Sequence, residues 1–251
     1  MKRDRIIVMA GLAAITALAW VSVFQFASSP ADMEHMEMSM PTTQARQIRD
    51  ILLTFLMWAV MMVAMMTPSA TPMILAFAEI NRERHAAQTP VPATAAFVLG
   101  YLIVWASFSA AATIAQLGLQ SAALLSPEEI SVSPKLGGIL LIVAGVYQFT
   151  PLKDSCLSRC RAPLGFLMTE WREGTKGALI MGARHGLYCV GCCWLLMMLL
   201  FVAGVMNLLW VALIAGYVLV EKIVPAGQWV GRAIGLLAVG WGVWVVIYAG
   251  R

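Results

Sequence analysis

Apolar runs close to the length of a bilayer crossing recur along almost the whole 251-residue chain, and this limits what it can become. About 20 consecutive apolar residues traverse ~30 Å of hydrocarbon as a helix. A backbone in lipid must satisfy its own amides, which a helix does within the segment. Composition agrees, with 61% of positions apolar and 12% charged, against roughly 45 to 50% and about 25% in soluble domains. The expected class is therefore all-α, a polytopic integral membrane helix bundle whose first partner is the lipid bilayer. The net charge of +4 does not point to nucleic acid, because the basic residues lie in short patches between apolar runs rather than along one face.

The runs place spans at 6–27, 51–78, 93–119, 135–152, 186–205, 208–220 and 231–249, about seven transmembrane helices. With the N-terminus inside, thirteen Lys and Arg fall in inner segments, including Arg82, Arg84, Lys153, Arg159, Arg172, Arg184 and Lys222, and four in outer ones. That asymmetry follows the positive-inside rule and predicts a cytoplasmic N-terminus. Residues 1–27 read as an anchor rather than a cleaved signal, since the apolar stretch is longer than a usual signal core. Cleavage would leave six helices. Residues 28–50 form an outer loop, and 51–251 the bundle, with an inner loop at 153–184.

Two segments depart from plain spans. Residues 51–78 would measure about 42 Å as a helix, and Pro68 and Pro72 within them predict a kink or break that frees carbonyls. Residues 163–171 in the inner loop read as a short interfacial helix with Phe166, Leu167 and Trp171 toward lipid and Glu170 and Arg172 toward water. Gly182 with Gly186, and Gly231 with Gly235, have the spacing of close helix packing.

Five Cys and seventeen Met are the unusual part of the composition, because both carry soft sulfur donors. His185, Cys189, Cys192 and Cys193 fall within a sector of about 100° on one helix, so one face offers three thiols and an imidazole at the inner end of the fifth span. A single Cys there would be a small hydrophobe, whereas three beside an aligned His read as a ligand set. Met57, Met61 and Met65 form a stripe on the second span, with Met62 and Met66 on an adjacent one. Counting depth at ~1.5 Å per residue puts Met62, Met65 and Met66 level with those cysteines, so they are candidate ligands as well as core fillers. Cys156 and Cys160 in the inner loop face a reducing compartment, which argues against a lasting disulfide and leaves a capture or release role at the inner mouth. In the outer loop Met33, His35, Met36, Met38 and Met40 stand among acids and supply thioether and imidazole donors suited to collecting copper.

Three stretches together resemble the DUF2182 family, bacterial integral membrane proteins described as predicted metal-binding: Trp58 to Pro68 (Trp-x2-Met-Met-x2-Met-Met-x-Pro), Tyr147 to Pro163 with its Cys-x3-Cys, and Gly186 to Met197 with its Cys-x2-Cys-Cys-Trp core. The resemblance covers about residues 50 to 225 and implies a metal-binding protein of the bacterial inner membrane without naming the metal. The Met-rich outer loop stands outside it. Thiolate and thioether donors favour Cu(I) as the ion bound, delivered or transported, with zinc also accepting Cys and His. A metallochaperone or a membrane metalloenzyme is the corresponding protein partner. Two other classes stay open: a membrane thiol-disulfide oxidoreductase pairing Cys189 and Cys192 with Cys156 and Cys160, and a structural or assembly subunit of a metalloenzyme complex. No nucleotide-binding motif is present, which argues against an ATP-driven pump, and the balance of the sequence is against an enzyme.

Overall fold

The structure is a computed structural model that describes residues 2–28, 43–84, 91–122, 124 and 132–248. Ten helices are described: α1 Lys2–Ser28, α2 Thr43–Arg84, α3 Val91–Ser121, α4 Pro134–Tyr147, α5 Pro151–Arg161, α6 Pro163–Glu170, α7 Gly174–Met198, α8 Leu200–Ala203, α9 Leu208–Ile223 and α10 Gly227–Tyr248. Five stretches are long and apolar enough to cross a bilayer, and α4 with α5, bent by 65° at their junction, makes a sixth. The protein is thus a helical membrane bundle, as its apolar runs dictate. The span expected at 208–220 is α9, whose 16 residues measure about 24 Å. It is short, and its last residues lie inside the bundle.

The expected break at Pro68 does not occur. The 42-residue α2 runs on through both prolines. Neighbouring hydroxyls serve the carbonyls of that turn, with Ser69 Oγ and Tyr101 Oη donating to Met66 O at 2.9 and 3.2 Å and Thr71 Oγ1 to Thr67 O at 3.0 Å. The break instead falls between α4 and α5, where Pro151 cannot continue a preceding helix and becomes the first residue of the next. Thr150 caps α5 by accepting from Lys153 N at 3.4 Å.

The loop expected at 153–184 is mostly helical, since α5, α6 and the first turns of α7 occupy it. Helix α7 therefore begins at Gly174 rather than Gly186, and Cys189 to Cys193 lie near the middle of the continuous apolar stretch Gly174–Ala203 instead of at its end. Gly204, at φ 88°, ends that stretch in the left-handed region. The short helix expected at 163–171 is α6, and Arg172 just beyond it is exposed as expected, but the face expected to meet lipid turns inward. Phe166 and Leu167 are buried while Leu164 and Met168 are 63% and 81% exposed. Tertiary partners decide the outcome, with Phe166 against His185 and Tyr188, and Trp171 stacked on Phe77 and covered by Arg84. Glu170 pairs with Arg184 and lies 3.8 Å from Arg159.

The tightest packing is α3 against α7, where a Cβ on Gly182 would collide with the Phe97 carbonyl and one on Gly100 with the Leu179 carbonyl. Helices α4 and α10 meet the same way through Gly145 facing Gly235 and Gly138 facing Gly242, the close approach that small residues permit in membranes. Gly182→Ala is expected to cost about 1–3 kcal/mol by overpacking. Gly118→Ala on α3, where a Cβ meets nothing, should be neutral or slightly stabilising. Thermal unfolding of the two variants in detergent checks the contrast, and equal midpoints would remove the steric account.

Candidate metal centre

Helix α7 carries the central donors. Cys189, Cys192 and Cys193 are all buried and free of disulfides. Cys192 and Cys193 turn back onto their own helix, each thiol donating to the Cys189 carbonyl at 3.1 and 3.0 Å, a bond that ties a small polar side chain to the preceding turn. The thiols act on one another: Cys193 on Cys189 and on Cys192, and Cys192 on Cys160 of α5, with Cys189 also in the field of Cys192 and Cys160. Cys156, half-buried, lies against Gly191, where an added Cβ would sit 2.7 Å from its sulfur. Among the described residues no three His, Cys, Asp or Glu side chains converge into a metal-binding group.

From α2, Met66 reaches this layer, with its Sδ 4.0 Å from Cys193 Sγ. Met62 and Met65 are buried in the same core, as is Met61. Of the methionines expected to join the cysteines, Met66 is the one with a sulfur contact to them among the described hydrogen bonds. Met33, His35, Met36, Met38 and Met40 lie outside the described residues.

His185 sits on the same helix face but in an aromatic box. Its ring stacks on Tyr101 at 5.6 Å and Phe97 at 6.2 Å, with Phe166 tilted at 5.7 Å. Its Nδ1 is buried and has no hydrogen-bond partner. An orphaned buried nitrogen is uncommon, and here it marks a donor atom available beside the sulfur series.

The decisive neighbours are charged. Lys222 Nζ, on α9, donates to Cys189 Sγ at 2.8 Å and to Ser69 Oγ at 3.2 Å, and Tyr101 Oη lies 3.2 Å from the same sulfur. Next to it Glu221 pairs with Lys153 of α5 at 2.5 Å, both side chains almost wholly buried. Gln148 accepts from the same ammonium, and Tyr217 Oη lies 3.3 Å from Gln148 Oε1 and 3.2 Å from Glu221 Oε1. Lys153 and Lys222, read from sequence as loop charges, are thus part of the interior. A signal did exist, because the apolar run 208–220 is too short to cross a bilayer and draws Glu221 and Lys222 inward behind it. Ionisable groups at this depth are costly and mark functional sites.

A family model described as PpoB2, copper chaperone, matches residues 55–245. The chain belongs to this copper chaperone family. No curated protein and no solved structure matches it. The span matched by the PpoB2 copper chaperone model contains Met66, His185, all five cysteines, Lys153, Glu221 and Lys222. It leaves out the Met-rich segment before residue 50. Handling of copper by a membrane protein, the coarse reading of the motifs, is what membership in the PpoB2 family establishes, and the DUF2182 name rests on the motif resemblance alone.

Proposed function

We propose that the protein holds Cu(I) as cargo between Cys189 and Cys193 of α7 with Met66 of α2 as a thioether donor, and passes it along Cys192, Cys160 and Cys156. The observation that carries this reading is the thiol of Cys193 facing the thioether of Met66 in a buried layer. Thiolate and thioether together are the donor set of Cu(I), whereas zinc takes Cys, His and carboxylates in a closed tetrahedron. The spread of thiols from α7 to Cys160 and Cys156 of α5 supports a site that hands its ion on, since a closed four-ligand cage would retain it. His185 Nδ1 is a further donor within the same layer. Met62 and Met65 are assigned to the core. In the orientation favoured by the basic residues, the series leads from mid-membrane toward the cytoplasmic side, to a metallochaperone or a membrane metalloenzyme, and the segment containing Met33, His35, Met36, Met38 and Met40 is a collector on the opposite face.

Elemental analysis of the purified, copper-loaded protein tests the assignment. Wild type is expected to retain Cu(I), and Cys189→Ser with Cys193→Ser to lose it. Met66→Leu conserves volume and should cost less than ~1.5 kcal/mol in stability while weakening Cu(I) retention. Full copper content and affinity in the double cysteine variant would overturn the reading, and wild-type affinity in Met66→Leu would return Met66 to the core.

A further inference from the structure

Lys222 is a buried cation whose charge, among the described residues, is not met by a carboxylate. Among the described residues its contacts are Cys189 Sγ at 2.8 Å and Ser69 Oγ at 3.2 Å, because the adjacent carboxylate, Glu221, is engaged by Lys153 at 2.5 Å. Two lysines therefore serve one carboxylate in the interior, and the second lysine faces sulfur. Its field extends over Cys189, Cys192, Cys193 and Cys160, the four thiols of the series. An uncompensated charge in so dry a place is strongly unfavourable, so the arrangement calls for one net negative charge among the sulfurs.

We infer that Lys222 is the fixed counter-charge of the loaded site and selects a monovalent ion over a divalent one. The inference rests on the reading of Cys189 and Cys193 as Cu(I) ligands. Two thiolates and a Cu(I) ion carry one net negative charge, and the Lys222 ammonium brings the assembly to neutrality. A divalent ion such as Zn(II) on the same two thiolates is already neutral, and beside Lys222 it leaves one positive charge buried without a partner. Selection by charge thus adds to selection by the softness of the donors. It also distinguishes the two neighbouring lysines, since Lys153 is spent on Glu221 and holds α5 to α9, while Lys222 stands beside the cargo. The role asks for a fixed positive charge near sulfur and for no proton movement.

The test compares Lys222→Met, which keeps length and apolar bulk but removes the charge, with Lys222→Arg, which keeps the charge. Each full-length variant is purified in detergent, and binding of Cu(I) and of Zn(II) is measured by competition with a chromophoric chelator. Lys222→Met is expected to lower Cu(I) affinity ten- to a hundredfold, the range for a group that supports metal ligands, and to raise Zn(II) affinity relative to Cu(I). Lys222→Arg should restore the wild-type preference, which a purely structural role for the side chain would not require. An unchanged ratio of Cu(I) to Zn(II) affinity in a folded Lys222→Met protein overturns the inference, as does an Arg variant that is no more selective than the Met one. Cys189→Ser with Cys193→Ser, run alongside, keeps the two readings apart. Loss of copper there with no effect of Lys222→Met rejects the counter-charge alone, while copper retained in the cysteine variant rejects the ligand assignment beneath it.

Discussion

Glu221→Gln is expected to destabilise the bundle by roughly 3–5 kcal/mol, the cost of leaving one partner of a buried ion pair uncompensated. Lys153 and Glu221 meet at 2.5 Å with side chains about 2% exposed, so solvent cannot take over the missing charge. The amide would still accept from Lys153, which makes the loss one of charge rather than of a hydrogen bond. Lys153→Met should cost a similar amount from the other side. The two changes together should cost much less than their sum, because removing both charges removes the desolvation penalty along with the attraction. Denaturation of the three variants in the same detergent supplies the comparison. Additive losses would mean that Gln148 and Tyr217, which share the network, hold the site without the ion pair. The pair ties α5 to α9, and through them it holds Cys160 and Lys222 against α7, so the thiol series depends on this contact for its alignment.

The helices were legible because hydrophobic length is a local property: the apolar runs at 6–27, 51–78 and 93–119 reappear within single helices, and the last one within Gly227–Tyr248 as far as the described residues go. Element ends were less so. Gly174 to Met181 falls within the expected inner loop, yet it belongs to α7, with Ala178 and Met181 buried in the core. The face of α6 expected to meet lipid likewise turned inward. Phe166 and Leu167 look equally suited to lipid or to protein, and the box around His185 decides between them. At Pro68 the local rule predicted a kink or break, yet the helix runs on through both prolines.

The site was half legible. Placing three cysteines and His185 on one face needs only the helical repeat, and the repeat was right to bring the cysteines together. It could not show that Cys192 also interacts with Cys160 of α5, or that His185 stacks against aromatic rings. Depth counting offered Met62, Met65 and Met66 alike, and Met66 is the one with a sulfur contact to Cys193 among the described hydrogen bonds. Lys153, Glu221 and Lys222 were easily missed as site residues because charges beside an apolar run are normally the run's boundary, and the shortness of the run 208–220 was the one signal against that. Their burial is a tertiary fact, set by the break at Pro151 and by the shortness of α9.

Capture and handover should separate in the variants Cys192→Ser and Cys160→Ser. In the proposed route the ion rests between Cys189 and Cys193 beside Met66 and leaves through Cys192, Cys160 and the half-buried Cys156. Each step requires an incoming soft donor in contact with the one being released, so that the ion is never without ligands in a medium that cannot solvate it. Serine is close in size and at 192 can keep the bond to the Cys189 carbonyl, but its oxygen is a hard, neutral donor with little affinity for Cu(I). Copper content at saturation is therefore expected to remain near wild type in both variants, since the resting ligands are intact. Release to an excess of an external thiol should slow by about tenfold or more, in line with the effect of losing a supporting group at a metal site. Stopped-flow transfer from loaded protein to a chromophoric Cu(I) chelator measures it. Wild-type release from both variants would mean that copper leaves by another path and that α5 contributes packing alone. If Cys160→Ser instead empties the site at equilibrium, Cys160 belongs among the retaining ligands and the resting position of the ion moves from α2 toward α5.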